Sequence, residues 1–297
     1  INEAQSSFEI TKIKNQRFRG NATYRNTALK DTNSKFNREN HFIGSLEYSG
    51  KFFKNALTLT TFYEAGSGLE QKRTYSFLKV LDGQGTHIWI DYNENGIEEL
   101  NEFEIAVFRD EANYVKIILT GNDYINTYNN QFAQTIGLYP GAVWRNKTHF
   151  RKFLSQFSNL TTLRVSQKNT IQNSFNAFNP FNFNIKDSLL INQNLNFKNT
   201  FSFNQYDSYF GIDFIIQRNQ MKNLLYYGFE RNQLNTEEII ITGNPHRTLN
   251  ISSQYTHALK SNQSEFFESR NYRIKSHQIN NSILIQLRSK LFFTLIY

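Results

Sequence analysis

One run of residues has a spacing that coordination chemistry can explain. Asp91-Tyr92-Asn93-Glu94-Asn95-Gly96-Ile97-Glu98-Glu99-Leu100-Asn101-Glu102 fits the twelve-residue EF-hand-like calcium loop D-x-[DN]-x-[DN]-G-x5-E. Hard Ca2+ takes six to eight oxygens. Asp91, Asn93 and Asn95 supply side-chain oxygens, Gly96 permits the sharp turn, and the carbonyl of Ile97 follows. Glu99 ligates directly or through water, and Glu102 closes the shell with two oxygens. With this chain's own frequencies, a chance match anywhere is roughly 5 × 10⁻⁴. The competing reading is an Asn-Gly hairpin turn with acidic flanks, since Asn95-Gly96 alone is a strong turn signal. The segment from Asp91 to Glu111 holds eight acidic residues and one Arg, so a bound cation would also relieve repulsion.

Other chemistry is thin. The six His (His41, His87, His149, His246, His257, His277) show no HExxH or paired-ligand spacing. Ser252, Ser253 and His257 lie in one alternating stretch, which keeps a barrel-borne hydrolase among the alternatives. Gly83-Gln84-Gly85 is a turn pair and no nucleotide loop occurs. With no Cys, a disulfide scaffold, a thiolate zinc site and a cysteine nucleophile are excluded. The net charge of +8 and pI near 9.4 suit anionic lipid headgroups or lipopolysaccharide. No basic run of five or more residues appears, and the Arg151–Phe157 mixture of cations and aromatics reads as a strand at a charged interface. Nucleic acid is not expected as a partner.

The elements that would position the loop are strands. His87-Ile88-Trp89-Ile90 before it reads as a strand, and only Leu100–Phe108 after it could make a short helix. A strand–loop–helix site of this kind pins an external loop rather than acting as a sensor. From Leu189 to Asn204 apolar and polar residues alternate: Leu189, Ile191, Leu195, Phe197, Phe201 and Phe203 against Asn192, Asn194, Asn196, Lys198, Thr200 and Ser202. A turn at Gln205-Tyr206-Asp207 leads to Phe210, Ile212, Phe214 and Ile216, and then to Leu225, Tyr227 and Phe229. Leu249, Ile251, Tyr255 and Leu259 follow, then Ile279, Ile283, Ile285 and Leu287, then Leu291, Phe293, Leu295 and Tyr297. The first half has shorter versions at Phe18–Tyr24 and Phe42–Phe52, and Leu57, Leu59 and Tyr63 complete a hairpin. Between about 66 and 144 charge becomes dense and alternation breaks up, which predicts an inserted surface subdomain. Phe175–Ile185 (FNAFNPFNFNI) is a Phe/Asn segment carrying Pro180, expected as an exposed or lumen-folded loop.

Composition fits such strands. The chain is 39% hydrophobic and 15% aromatic, with mean hydropathy of -0.58 and 39 Asn. A wet lumen on one side and lipid on the other reconcile greasy alternate positions with a hydrophilic average. No apolar run approaches the ~18 residues of a membrane helix. The chain opens at Ile1 with neither an initiator Met nor a signal-peptide pattern, as expected of a processed chain or a piece of a longer one.

The stretches Gly66-Ser67-Gly68-Leu69-Glu70-Gln71-Lys72-Arg73, Gly83-Gln84-Gly85-Thr86-His87-Ile88-Trp89-Ile90-Asp91 and Glu99-Leu100-Asn101-Glu102-Phe103-Glu104 resemble segments of large Bacteroidota outer-membrane proteins. In those, a multi-domain β-rich part precedes a C-terminal transmembrane β-barrel. The resemblance covers the middle third of the chain and implies an anchor, assembly or transport role alongside other envelope proteins. It brings no catalytic residues.

The expectation is an all-β antiparallel outer-membrane β-barrel, or barrel portion, of roughly 10–14 strands. Residues 1–65 and 146–297 supply barrel strands, and 66–145 an inserted calcium-loop subdomain. It would act without catalysis, as a passage or an assembly platform in an envelope complex of the outer membrane. A soluble secreted adhesin or glycan-binding module is the runner-up, and a barrel hydrolase the third reading.

Overall fold

The computed structural model describes residues 2–27, 39–171, 175–205, 209–225, 228–288 and 291–296. The expected positions Tyr206, Asp207, Tyr227 and Tyr297 lie outside the described residues, as do the side chains of Leu287 and Leu291.

The protein is all-β. Fourteen strands run in chain order: β1 (Asn2–Ile10), β2 (Gln16–Thr27), β3 (Glu39–Phe52), β4 (Leu57–Lys79), β5 (His87–Trp89), β6 (Phe103–Ile105), β7 (Tyr114–Leu138), β8 (Phe157–Asn169), β9 (Leu190–Phe203), β10 (Phe210–Leu225), β11 (Gly228–His246), β12 (Leu249–Ser264), β13 (Tyr272–Arg288) and β14 (Leu291–Ile296). They form one sheet whose main path is β1-β2-β3-β4-β7-β8-β9-β10-β11-β12-β13-β14, every neighbour antiparallel. This is an up-and-down meander. Among the described residues β1 and β14 end the path without pairing each other, so the sheet is not closed.

Residues directly opposite in an antiparallel pair share a face, so register assigns the two faces. One row reads Phe201, Phe214, Ile239, Tyr255, Ile279 across β9 to β13. The row one residue over reads Ser202, Asp213, Ile240, Gln254, Asn280 and faces the other way. The same holds at the amino end, where Ile10, Phe18 and Tyr48 oppose the row Glu9, Arg19, Glu47. Phe18 and Tyr48 touch there, ring centroids 4.5 Å apart. Grooves along the sheet open mainly on the polar face: one is lined by Glu64, Asn129, Gln131, Ser166 and Lys168, another by Arg17, Ser49, Lys51, Thr58 and Thr60.

The two ends of the sheet differ. At one end the connections 53–56 and 247–248 are short, and 139–156 carries two short helices, α1 (Gly141–Trp144) and α2 (Phe150–Leu154). At the other end lie the longer connections 80–113 and 170–189. The sequence reading of Arg151–Phe157 as a strand is corrected: Phe153 sits on α2 and packs on Phe157, centroids 5.1 Å apart. A spacing of four satisfies both a helical turn and a period of two, so the aromatic pair alone could not decide.

The expected boundary at 66 falls inside β4, and that at 145 lies between α1 and α2. β4 and β7 pair from Leu57↔Leu138 to Lys79↔Tyr114, with a bulge between Gln71 and Arg73. The hairpin therefore runs on past the sheet as an arm, and the segment off the main path is 80–113.

Candidate calcium loop and apolar sheet face

The arm builds a small core of its own. Phe77 stacks on Phe103 at 4.0 Å, Phe103 meets Tyr114 edge-on at 4.9 Å, and Phe77 meets His87 at 5.1 Å. Ala112, Tyr114, His87 and Glu102 are buried. Burial, with Lys116 nearby, holds the His87 imidazole below its usual pKa. Burial and the bond its hydroxyl donates to Glu98 Oε1 at 2.6 Å push Tyr114 up to about 12.

On this core sits the loop 91–102. The amides of Asn95 and Gly96 donate to the two oxygens of Asp91 at 3.1 and 2.7 Å, and Gly96 takes φ +68°. The amide of Asn95 also reaches Asn93 Oδ1 at 3.0 Å, and the amide of Ile97 reaches Asn95 Oδ1 at 2.6 Å. Glu99 accepts from the side-chain amides of Asn93 and Asn95 at 3.4 and 3.5 Å. The first, third, fifth and ninth positions are thus drawn together by the loop's own bonds. The expected helix after it is a single 3-10 turn, Leu100–Glu102, leading straight into β6, because Phe103–Ile105 pairs with His87–Trp89.

Glu102, the twelfth position, is the informative residue. It is 1% exposed. Its Oε2 accepts from the Trp89 indole at 2.9 Å and from the Glu99 amide at 3.3 Å. Its Oε1 is buried with no hydrogen-bond partner. A buried carboxylate oxygen left bare costs about 1–3 kcal/mol or more, and a hard cation would satisfy it. Among the described residues no group of three His, Cys, Asp and Glu side chains converges enough to hold a metal ion alone. A loop of this pattern draws the rest of its shell from Asn amides and a backbone carbonyl, here Asn93, Asn95 and Ile97. Spacing had flagged the six positions Asp91, Asn93, Asn95, Ile97, Glu99 and Glu102 but missed Trp89, which orients Glu102. A lone Trp in a strand carries no signal of that role.

Several other acidic groups of the segment are answered by donors within the arm. Tyr114 answers Glu98, and Tyr92 answers Glu104 at 2.6 Å. Of the residues behind the hydrolase reading, Ser253 donates to Asn281 Oδ1 at 2.8 Å and His257 faces Glu237 at 3.7 Å.

The apolar sheet face is the other unusual surface. Phe8, Ile251, Ile279, Phe293 and Leu295 stand exposed on it, Ile279 at 63% and Leu295 at 65%. Among the described residues the one cluster of buried hydrophobics is small: Ile185, Leu190 and Phe229, backed by Ile171, Leu189 and Leu224. The Phe/Asn segment covers part of this face near the arm. Asn130 and Asn169 donate to the Ala177 carbonyl at 2.9 and 3.0 Å, Gln167 to those of Pro180 and Asn182, and Tyr63 to that of Phe178. Phe181 meets Phe132, which shares a register row with Tyr63, Val165 and Leu195. The segment thus lies against the greasy-parity face where that face turns polar.

Comparison with protein-family models, with curated proteins and with solved structures finds no match in any of the three.

Proposed function

We propose that the chain is the wall, or part of the wall, of an outer-membrane β-barrel, with the arm outside the bilayer carrying a structural Ca2+ loop. The observation that supports this best is the bare apolar face. A soluble sandwich covers such a face with a second sheet, and contiguous apolar patches much above a few hundred Å² are rare on soluble monomers. Here, away from the Phe/Asn segment, alternate residues of strand after strand leave Phe, Ile and Leu without a covering layer, while the reverse face is mostly amide, hydroxyl and charge. Strands of 12–25 residues for β2 to β4 and β7 to β13 exceed the ~9–11 a tilted span needs. The short turns 53–56 and 247–248 lie at one end, with 139–156, and the connections 80–113 and 170–189 at the other, an asymmetry in keeping with barrels whose short turns are periplasmic. That would put the arm on the outer side. β1 and β14 are the edges where the wall would meet each other or further strands. Its role is a passage or assembly platform rather than catalysis.

Within the loop, Asp91, Asn93, Asn95, the Ile97 carbonyl, Glu99 and Glu102 would hold Ca2+, which would supply charge neutralisation and rigidity to the arm.

Membrane fractionation tests the first reading. The chain should resist carbonate washing, require detergent, and migrate faster unheated than boiled on gels. Purification from buffer alone as a stable monomer would overturn it in favour of a secreted adhesin. Terbium luminescence tests the loop: excitation of Trp89 should sensitise bound Tb3+, and excess Ca2+ should quench the signal by displacement.

A further inference from the structure

The arm and the ends of β9 to β12 border a half-open cavity of about 430 Å³, within the range that takes small organic ligands. Arg73 fixes this arrangement by donating to the Leu224 carbonyl at 2.9 Å. The floor is apolar: Ile118, Leu190, Ile191, Leu224 and Phe229.

The charges in its wall fall into two groups. Glu70 is held by Arg73 at 2.6 Å and by Lys168, and Asp187 by Lys222 at 2.6 Å. These cancel. Two others remain without an ion-pair partner among the described residues. Lys116 Nζ lies 4.7 Å from the Tyr75 ring centre and 5.2 Å from that of Phe266. Glu265 accepts the Phe229 amide on Oε2 at 2.9 Å and makes no ion pair. The aromatic rings position the ammonium, and the backbone bond positions the carboxylate, beside one greasy floor.

We propose that this cavity binds a small zwitterion with an apolar body, of the chemistry of a short hydrophobic peptide. Its carboxylate meets Lys116, its ammonium meets Glu265, and its side chains lie on Leu190, Leu224 and Phe229. A purely apolar ligand would leave both charges unanswered, and a simple anion would face Glu265. The cavity lies under the arm and does not depend on what covers the sheet face, so binding is independent of the membrane reading.

The experiment is calorimetric titration of the full chain in detergent with the dipeptide Leu-Leu, its N-acetyl form and its C-terminal amide. Leu-Leu should bind, and each blocked form should bind about tenfold more weakly, equivalent to about 1.4 kcal/mol. Lys116→Gln should weaken Leu-Leu about tenfold and abolish the difference between acid and amide. Glu265→Gln should abolish the difference between free and acetylated amine. Both residues are partly solvated, and an unchanged circular dichroism spectrum would show that the variants fold. As a second handle, Leu224→Trp fills the floor and should remove binding of all three forms. No binding of Leu-Leu at millimolar concentration would overturn the proposal. So would equal affinities for the three forms, or blocking preferences that survive in the Lys116 and Glu265 variants.

Discussion

The arm and the sheet beneath it solve burial in opposite ways. The arm packs Phe77, Phe103, Tyr114 and His87 into a core of its own and answers Glu98, Glu102 and Glu104 with Tyr114, Trp89 and Tyr92. One carboxylate oxygen of that core, Glu102 Oε1, stays bare, and Leu81, Ile105, Val107 and Phe108 stand exposed around it. The sheet is regular in its backbone bonding yet leaves an apolar row such as Phe201, Phe214, Ile239, Tyr255 and Ile279 uncovered. A module that carries its own core can stand in solvent. A single wall without one needs its second layer from outside.

The sharpest break of that contrast compares neighbours in β10. Phe214→Lys places a charge on the apolar face and should cost about 2–4 kcal/mol if that face meets hydrocarbon near the midplane. Asp213→Lys, one residue away on the polar face, should stay within about 0.5 kcal/mol. Urea titration of the reconstituted chain reads both. Equal effects would show that the faces do not differ in environment.

Next in size is the loop. Glu102→Ala removes the partner of Trp89 and the bare oxygen together, and should cost the arm about 1–3 kcal/mol and all protection by Ca2+ against proteolysis of residues 80–113. Glu104→Ala, which breaks only the Tyr92 bond, should keep the Ca2+ effect. Protection equal in chelator and in calcium for the unaltered chain would count against the site.

Acid should separate the regions again. His87 is held below its ordinary pKa of 6.5 by burial first and by Lys116 second. The unfolded arm therefore takes up the proton more readily than the folded one, so the contribution of His87 is present above pH 6.5 and declines as pH falls below it. Hydrogen exchange between pH 7.5 and 5 should quicken in the arm amides and not in β10 to β12. His87→Phe should flatten that dependence.

The smallest effect lies at the turn end. Phe53, Lys54 and Asn55 all take left-handed φ, at 51°, 56° and 71°. Lys54→Gly should relieve strain at the cost of unfolded-chain freedom, for a net gain under about 1 kcal/mol. Thermal melting reads it, and a loss would show that the Lys54 side chain contributes contacts.

The sheet was legible wherever one face is greasy and the other is wet, because a period of two then appears in the chain itself. Leu189 to Phe203 showed this over a whole strand. It faded in β4 and β7 beyond Gly66, where polar and apolar residues mix on both faces of the hairpin. It misled at Phe153 and Phe157. The loop was legible because coordination fixes ligand spacing within twelve consecutive residues. The cavity was not: Lys116 and Glu265 come from strands distant in the chain, and only the fold of the arm across the strand ends brings them near one floor.

The meander order has a consequence for assembly. Nearly every strand finds its partner in the strand just made, and where the connection is short, as at 53–56 and 247–248, loop-closure entropy is small. Hairpins can form one after another and zip from either direction. The exception is β4, which must wait through residues 80–113 for β7. That makes completion of the arm the natural slow step, and the rest of the wall can grow on either side of it.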